Sequence, residues 1–244
     1  WMAEEKEGAS FLARIGATSH ELSIPRPAQI KSARKHLADL CAEAEGEGVD
    51  LAKDLALSES VQDLFLGLCD HAPYLIRLMR KDWQRLHRLL HEDPETSMAR
   101  LLDVTRHAWR VPSVTEAMMM ASLRRAKQEM ALLIALADLG GLWGVDQVTA
   151  ALSDFADAAC SSALNFLLAE AEASDRFIPV NRDDPSQASG LVVLALGKHG
   201  AGELNYSSDI DVIVLYDPDI APLGPRAEPS SFFVRLTQGL VRLM

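Results

Sequence analysis

Apolar residues along this chain change period after the long N-terminal stretch. Up to about residue 173 they recur three and four apart; after residue 190 they come in two short unbroken runs. The first spacing is that of helices with one buried face, the second that of strands. From Ala28 to Ala44, Ile30, Ala33, Leu37, Leu40 and Cys41 share one helical face, and Gly46 and Gly48 end it. Leu51–Leu57 is a short helix. From Ser60, Val61, Leu64, Phe65 and Leu68 carry the spacing to Ala72-Pro73. Leu75–Met79, Trp83–Leu90 and Met98–Trp109 continue it, with Pro94 and Pro112 as breakers or helix starts. Ser113-Val114-Thr115-Glu116 has the form of a capping box, Ser113 capping and Glu116 reaching back. It predicts a long helix to Leu139, stopped by Gly140-Gly141. Leu123, Ala126, Met130, Leu133 and Ala137 form its stripe, and Met118-Met119-Met120 reads as core filling. Val145–Ala173 predicts another long helix, with Val148, Leu152, Phe155, Ala159, Ala163, Phe166 and Leu167 inward.

The ends differ from this helical layer. Residues 1–27 are polar, with Pro25 and Pro27, and read as a loosely held arm with a short helical piece near Phe11–Ile15. Trp1 ahead of Met2 is set aside as a remnant. Phe177–Ser189 is turn-rich, a loop or short edge strand. Leu191–Leu196 and Val212–Tyr216 predict two buried strands, and Ser230 and Ser231 are placed to cap a final helix over Phe232–Met244. The expected class is α+β, predominantly α. An arm (1–27) and a helical domain (28–175) precede a second domain with a small mixed sheet (176–244).

Composition narrows the function. With 35 acidic against 24 basic residues the formal charge is −11. A nucleic-acid binder needs a basic footprint, so DNA or RNA is not the expected partner. No apolar run has the length of a membrane span, and Glu4, Glu5 and Glu7 replace the features of a signal peptide. A cytoplasmic protein without membrane attachment is expected. Cys41, Cys69 and Cys160 are far apart and odd in number, so they read as reduced, mostly buried thiols.

The candidate chemistry lies between the two apolar runs. Asp209 and Asp211 flank Ile210 at the mouth of the second run. In extended backbone, residues two apart face the same way, so both carboxylates address one spot. Like charges held together call for a cation, and Mg²⁺ with carboxylates and substrate phosphates is the expected one. Gly197, Gly200 and Gly202 give a turn whose amides are open to a ligand, and Lys198 adds a charge suited to phosphate. Neither a Walker loop nor a dinucleotide fingerprint is present. His199 is placed to meet phosphate or to face solvent. Tyr206 packs over a nucleotide or covers the strand ends, and Glu203 supports the metal or pairs with Lys198. Elsewhere, His87 and His91 have metal-capable spacing beside Glu92, but no third ligand is evident and surface histidines are the reading. Arg77, Arg80, Lys81, Arg85 and Arg88 read as a solvated helix face, with a docking patch for an acidic partner as the sharper alternative.

The stretch G-K-x-G-x-x-E-L-N-x-S-S-D-I-D from Gly197 to Asp211 resembles the signature of the bifunctional glutamine synthetase adenylyltransferase/adenylyl-removing enzymes. Leu123-Arg124-Arg125-Ala126-Lys127 and Ala131–Leu142 resemble the helix preceding the catalytic domain in that family. The family carries two nucleotidyltransferase domains of the DNA polymerase β type. The E-L-N-x-S-S-D-I-D form resembles the N-terminal, adenylyl-removing copy. The resemblance implies that Asp209 and Asp211 hold Mg²⁺ and that Gly197, Lys198 and Ser208 cradle phosphates. It implies phosphorolysis of adenylyl-tyrosine on glutamine synthetase, with phosphate consumed and ADP released, in control of nitrogen assimilation. The alternatives are ATP-dependent adenylylation of the same tyrosine and a non-catalytic helical docking module. Control by glutamine and the PII signalling protein is implied as well. The family's third carboxylate lies in an Arg-Val-Asp-Leu-Arg-type segment after a helix resembling Phe232–Met244. The chain ends before it, so an incomplete domain, inactive by itself, is expected.

Overall fold

A computed structural model describes residues 8–17 and 25–244; Trp1 and most of the predicted arm lie outside the described residues. The element order is α1 (Phe11–Ala17), α2 (Ile30–Gly46), α3 (Leu51–Leu55), α4 (Glu59–His71), α5 (Pro73–Arg80), α6 (Trp83–His91) and α7 (Pro94–Arg106), then a 3₁₀ turn at Ala108–Arg110. It continues with α8 (Glu116–Leu139), α9 (Val145–Ala173), β1 (Leu191–Ala195), α10 (Gly197–Gly200), β2 (Val212–Tyr216) and α11 (Pro229–Leu243). The class is α+β, predominantly α. By packing, the chain divides into two compact units, one of residues 1–100 and 128–148, the other of 101–127 and 149–244.

In the first unit α4 is the hub, packed against α1, α2, α3 and α5. Its Val61, Leu64, Phe65 and Leu68 are wholly buried. Ser58 starts it, accepting from the Ser60 amide at 3.1 Å. The short helix foreseen near Phe11 exists, but it is docked rather than loose. Phe11, Leu12 and Ile15 of α1 are buried, and α1 packs on α4 and α6. The basic run of α5 and α6 has internal partners. Arg80 forks onto Glu43 at 2.7 and 2.9 Å, and Arg88 reaches Glu129 at 2.7 Å. Arg85 is buried and donates to the Leu78 carbonyl, while Arg77 lies over the Tyr74 ring. These contacts leave little of the run for the docking patch considered from sequence.

In the second unit α9 and α11 close the core. Phe166, Phe177, Phe232, Phe233, Leu236 and Leu240 are buried together, and Leu191 and Val193 pack against them from β1. The Tyr216 ring stacks on Phe233 at 4.2 Å. β1 and β2 pair antiparallel, Leu191 opposite Tyr216 and Ala195 opposite Val212. Among the described residues the sheet is this two-stranded antiparallel pair, not the mixed sheet expected. Nor are the strands buried on both sides. Unbroken runs of Val and Leu read as strands covered on both faces, yet Val192, Leu194, Ile213 and Leu215 are exposed. Only the alternate residues meet the core.

Two helix starts lie elsewhere than the pattern placed them. Ser113 takes a left-handed φ of 59°, outside any cap geometry. Thr115 starts α8 instead, its hydroxyl accepting from the Met118 amide at 3.3 Å. At α11 the cap is Glu228, whose carboxylate accepts from the Ser230 and Ser231 amides at 3.2 and 2.8 Å. The serines supply the amides and not the cap, because Pro229 takes the first helical position.

Candidate functional site

The site is built where β1 leaves the sheet and β2 enters it. The Leu196 amide donates to the Asp211 carbonyl at 2.8 Å, one step beyond the last ladder pair. That bond sets Asp211 opposite Leu196 and beside Gly197. A Cβ added at Gly197 would lie 3.9 Å from Asp211 Oδ2, so the carboxylate stands against the bare face of the glycine. Asp209 and Asp211 are both exposed and Ile210 between them is half-buried, the alternation expected of extended backbone.

The stretch after β1 was read as a glycine turn; it folds as α10. Gly197 enters with φ of 54°, in the region where a side chain is disfavoured. The Gly200 amide donates to the Leu196 carbonyl at 3.0 Å, and the Glu203 amide to the Lys198 carbonyl at 2.7 Å. A Cβ on Gly200 would fall 2.5 Å from the Ala195 carbonyl oxygen, so only glycine lets this turn fold back on its strand. Lys198 is exposed. Glu203 and Lys198 are thus linked through their backbones.

The loop from Asn205 to Ser208 is organised by one side chain. Asn205 Oδ1 accepts from the Ser207 amide at 3.2 Å and from the Ser208 hydroxyl at 2.8 Å. Ser208 Oγ in turn accepts from the Asn205 amide at 3.2 Å. The Ser208 hydroxyl thereby braces the turn that leads into Asp209. Tyr206 is exposed.

Sequence reasoning missed the residues that hold this turn from below. On α9, Thr149, Ser153 and Asp157 follow at four-residue intervals along one side. Ser153 donates its hydroxyl to the Thr149 carbonyl at 2.8 Å and accepts the Leu204 amide at 3.3 Å. Asp157 Oδ1 lies 2.8 Å from His199 Nε2. His199 therefore does not face solvent: it is buried, with its Nδ1 lacking a hydrogen-bond partner. The available signal was two hydroxyls and a carboxylate at four-residue spacing on one side of α9. Burial and then the Asp157 carboxylate push the nearby Cys160 thiol up to about 11. Burial likewise pushes Cys69 up to about 11. All three cysteines are free, as expected, but only Cys160 is buried; Cys41 and Cys69 are half-buried, against the mostly buried set expected.

Hard carboxylate oxygens are the donors that Mg²⁺ takes. Asp211, beside a glycine that presents no Cβ, and the exposed Asp209 two residues earlier are donors of that kind.

A small antiparallel pair laid on a helical core, with acids and a Gly-Lys turn at one end, defines a predominantly helical α+β protein with a polar cluster at one end of its sheet. Within that class the chain belongs to the glutamate-ammonia ligase adenylyltransferase family, whose model matches residues 62–244. It is similar to the bifunctional glutamine synthetase adenylyltransferase/adenylyl-removing enzyme of Bradyrhizobium sp. (strain ORS 278), 48% identical over 214 residues, covering 87% of this chain and 22% of that protein. It also resembles proteins of the same name from Rhodopseudomonas palustris (strain HaA2), 47% identical over 97% of this chain and 23% of the relative, and from Bradyrhizobium diazoefficiens, 41% identical over 98% and 23%. The chain thus spans less than a quarter of the length of these relatives. Among the described residues no helix is long and apolar enough to cross a membrane.

Proposed function

We propose that this chain carries part of the adenylyl-removing centre of a glutamine synthetase-modifying enzyme, one that uses inorganic phosphate to release ADP. The observation that supports it is the Leu196–Asp211 backbone bond, which brings the acidic pair and the Gly197-Lys198 turn to the same end of the sheet. In this reading Asp209 and Asp211 hold Mg²⁺, which when bound neutralises charge on the phosphate oxygens. Lys198 faces the same solvent as the acids and offers a point charge to phosphate. The amides of α10 approach the ligand over Gly197, where no side chain intervenes. A phosphate oxygen attacks the α-phosphorus of adenylyl-tyrosine; the bond from phosphorus to the tyrosine oxygen breaks, leaving ADP and free tyrosine. Glutamine synthetase is the protein substrate, and the PII signalling protein is a regulatory partner of the whole enzyme. The reaction needs no membrane and takes place in the cytoplasm.

The test supplies adenylylated glutamine synthetase and phosphate to the enzyme containing these residues, with Asp209→Asn and Asp211→Asn alongside. ADP formation lost in both variants is the expected result. Full ADP formation by either variant refutes the site. Pyrophosphate made from ATP and unmodified glutamine synthetase, again dependent on these aspartates, would instead assign the site to adenylylation.

A further inference from the structure

We propose that Asp54, His87 and His91 form a binding site for a divalent transition-metal ion of the zinc class, joining α3 to α6 in the first unit. Periodicity supplied the two histidines, one turn apart at the end of α6, but no third ligand. The fold supplies it from another helix. Asp54 Oδ1 lies 3.0 Å from His91 Nε2, and Asp54 Oδ2 lies 3.8 Å from His87 Nδ1. One ligand atom from each of the three residues falls within 4.8 Å of the others. A tetrahedral ion with bonds of about 2.0–2.1 Å sets its ligands roughly 3.3 Å apart. The observed separations bracket that spacing.

The second observation is that these groups satisfy one another only in part: His91 meets Asp54 Oδ1, and Oδ2 is left open. Asp54 is 5% exposed, and its Oδ2 is buried without a hydrogen-bond partner. At 3.8 Å the His87 nitrogen is beyond hydrogen-bond reach. A buried carboxylate oxygen left open is costly, and native structures pair such atoms with protein groups, water or an ion. The two rings have centroids 4.3 Å apart, so a single carboxylate faces two imidazoles. A single divalent ion satisfies the open oxygen and takes both imidazoles neutral.

The surroundings agree. His91 sits in the last turn of α6, where the helix dipole favours positive charge, and His87 lies one turn before it. Both side chains are about half exposed, 46% and 42%, so their rings are free to close on an ion that solvent can reach. The donors are two nitrogens and one oxygen, the borderline set that suits zinc and its neighbours over Mg²⁺ or Ca²⁺. Water completes the fourth position. Glu92, the acid adjacent in sequence, is not part of the set; it accepts from Ser97 and Arg100.

The experiment is calorimetry and thermal melting of the chain with zinc chloride alone, after stripping with a chelator, followed by cobalt(II) absorption. We expect one ion per chain, a higher melting temperature with zinc that a chelator reverses, and an intense visible cobalt band of low coordination number. His87→Ala and His91→Ala remove exposed side chains and are expected to fold; each should weaken binding about tenfold or more. Asp54→Asn, close in shape, should do the same. Absence of binding to the unaltered chain, or affinity unchanged in both histidine variants, overturns the site. Affinity unchanged in Asp54→Asn alone also overturns it, since a surface histidine pair would then explain the binding.

Discussion

Asp211, on the connection into β2, and Asp54, on the short helix α3, are both carboxylates, and the fold treats them in opposite ways. Asp211 is exposed and stands against the bare face of Gly197, within reach of anything that arrives from solvent. Asp54 is buried, with one oxygen on a histidine and the other open. At Asp211 the backbone does the positioning: a ladder-like bond from Leu196 and a helical turn of glycines. At Asp54 side chains from a second helix do it. An exposed acid in an open setting can be exchanged without harming the fold and matters through what it binds. A buried one is part of the packing, and its ligand, if it takes one, becomes part of the packing too.

The largest expected effect follows from this. Asp209→Asn and Asp211→Asn should lower phosphorolysis by about a hundredfold or more, the scale of removing a preorganised charge from a reaction centre. Their melting temperatures should match the parent; a large drop would mean that the acids hold the loop, and the contrast with Asp54 would fail. Next comes the backbone of the turn. Gly200→Ala places a Cβ 2.5 Å from the Ala195 carbonyl, a clash with main chain that should destabilise by about 1–3 kcal/mol in urea unfolding. Gly197→Ala has room for the methyl but not the dihedral, φ being 54°, and should destabilise by about 1–2 kcal/mol. If Gly200→Ala is no worse than Gly197→Ala, the close approach of α10 to β1 is not rigid. The smallest effect is at the support beneath. Ser153→Ala leaves the Leu204 amide without its acceptor and should cost about 1 kcal/mol. Hydrogen exchange at Leu204 should quicken while amides within α9 stay protected.

How far the sequence could be read varies by residue. The ends of α9 at Val145 and Ala173 and the stop of α8 before Gly140 were legible, because long apolar periodicity and paired glycines leave one reading. The start of α8 was not. Ser113 and Thr115 both suit a cap, and the left-handed backbone at Ser113 decided between them. The Val and Leu runs foretold strands but not that one face would be open, since the residues that cover a face are not written in the strand. His199 shows the same limit: its local sequence allowed phosphate or solvent, and the partner its ring found lies on a helix forty residues earlier.

By itself the sequence determined the helical layer, the two strands and the stretch from Gly197 to Asp211 that carries the family resemblance. These rest on interactions among near neighbours, which periodicity and turn chemistry report. The tertiary structure alone decided that Asp211 lies against Gly197, that Ser153 and Asp157 hold the turn, and that Asp54 meets His87 and His91. Each of those joins residues well separated along the chain. Chain folding, not spacing, brings such groups within bonding distance.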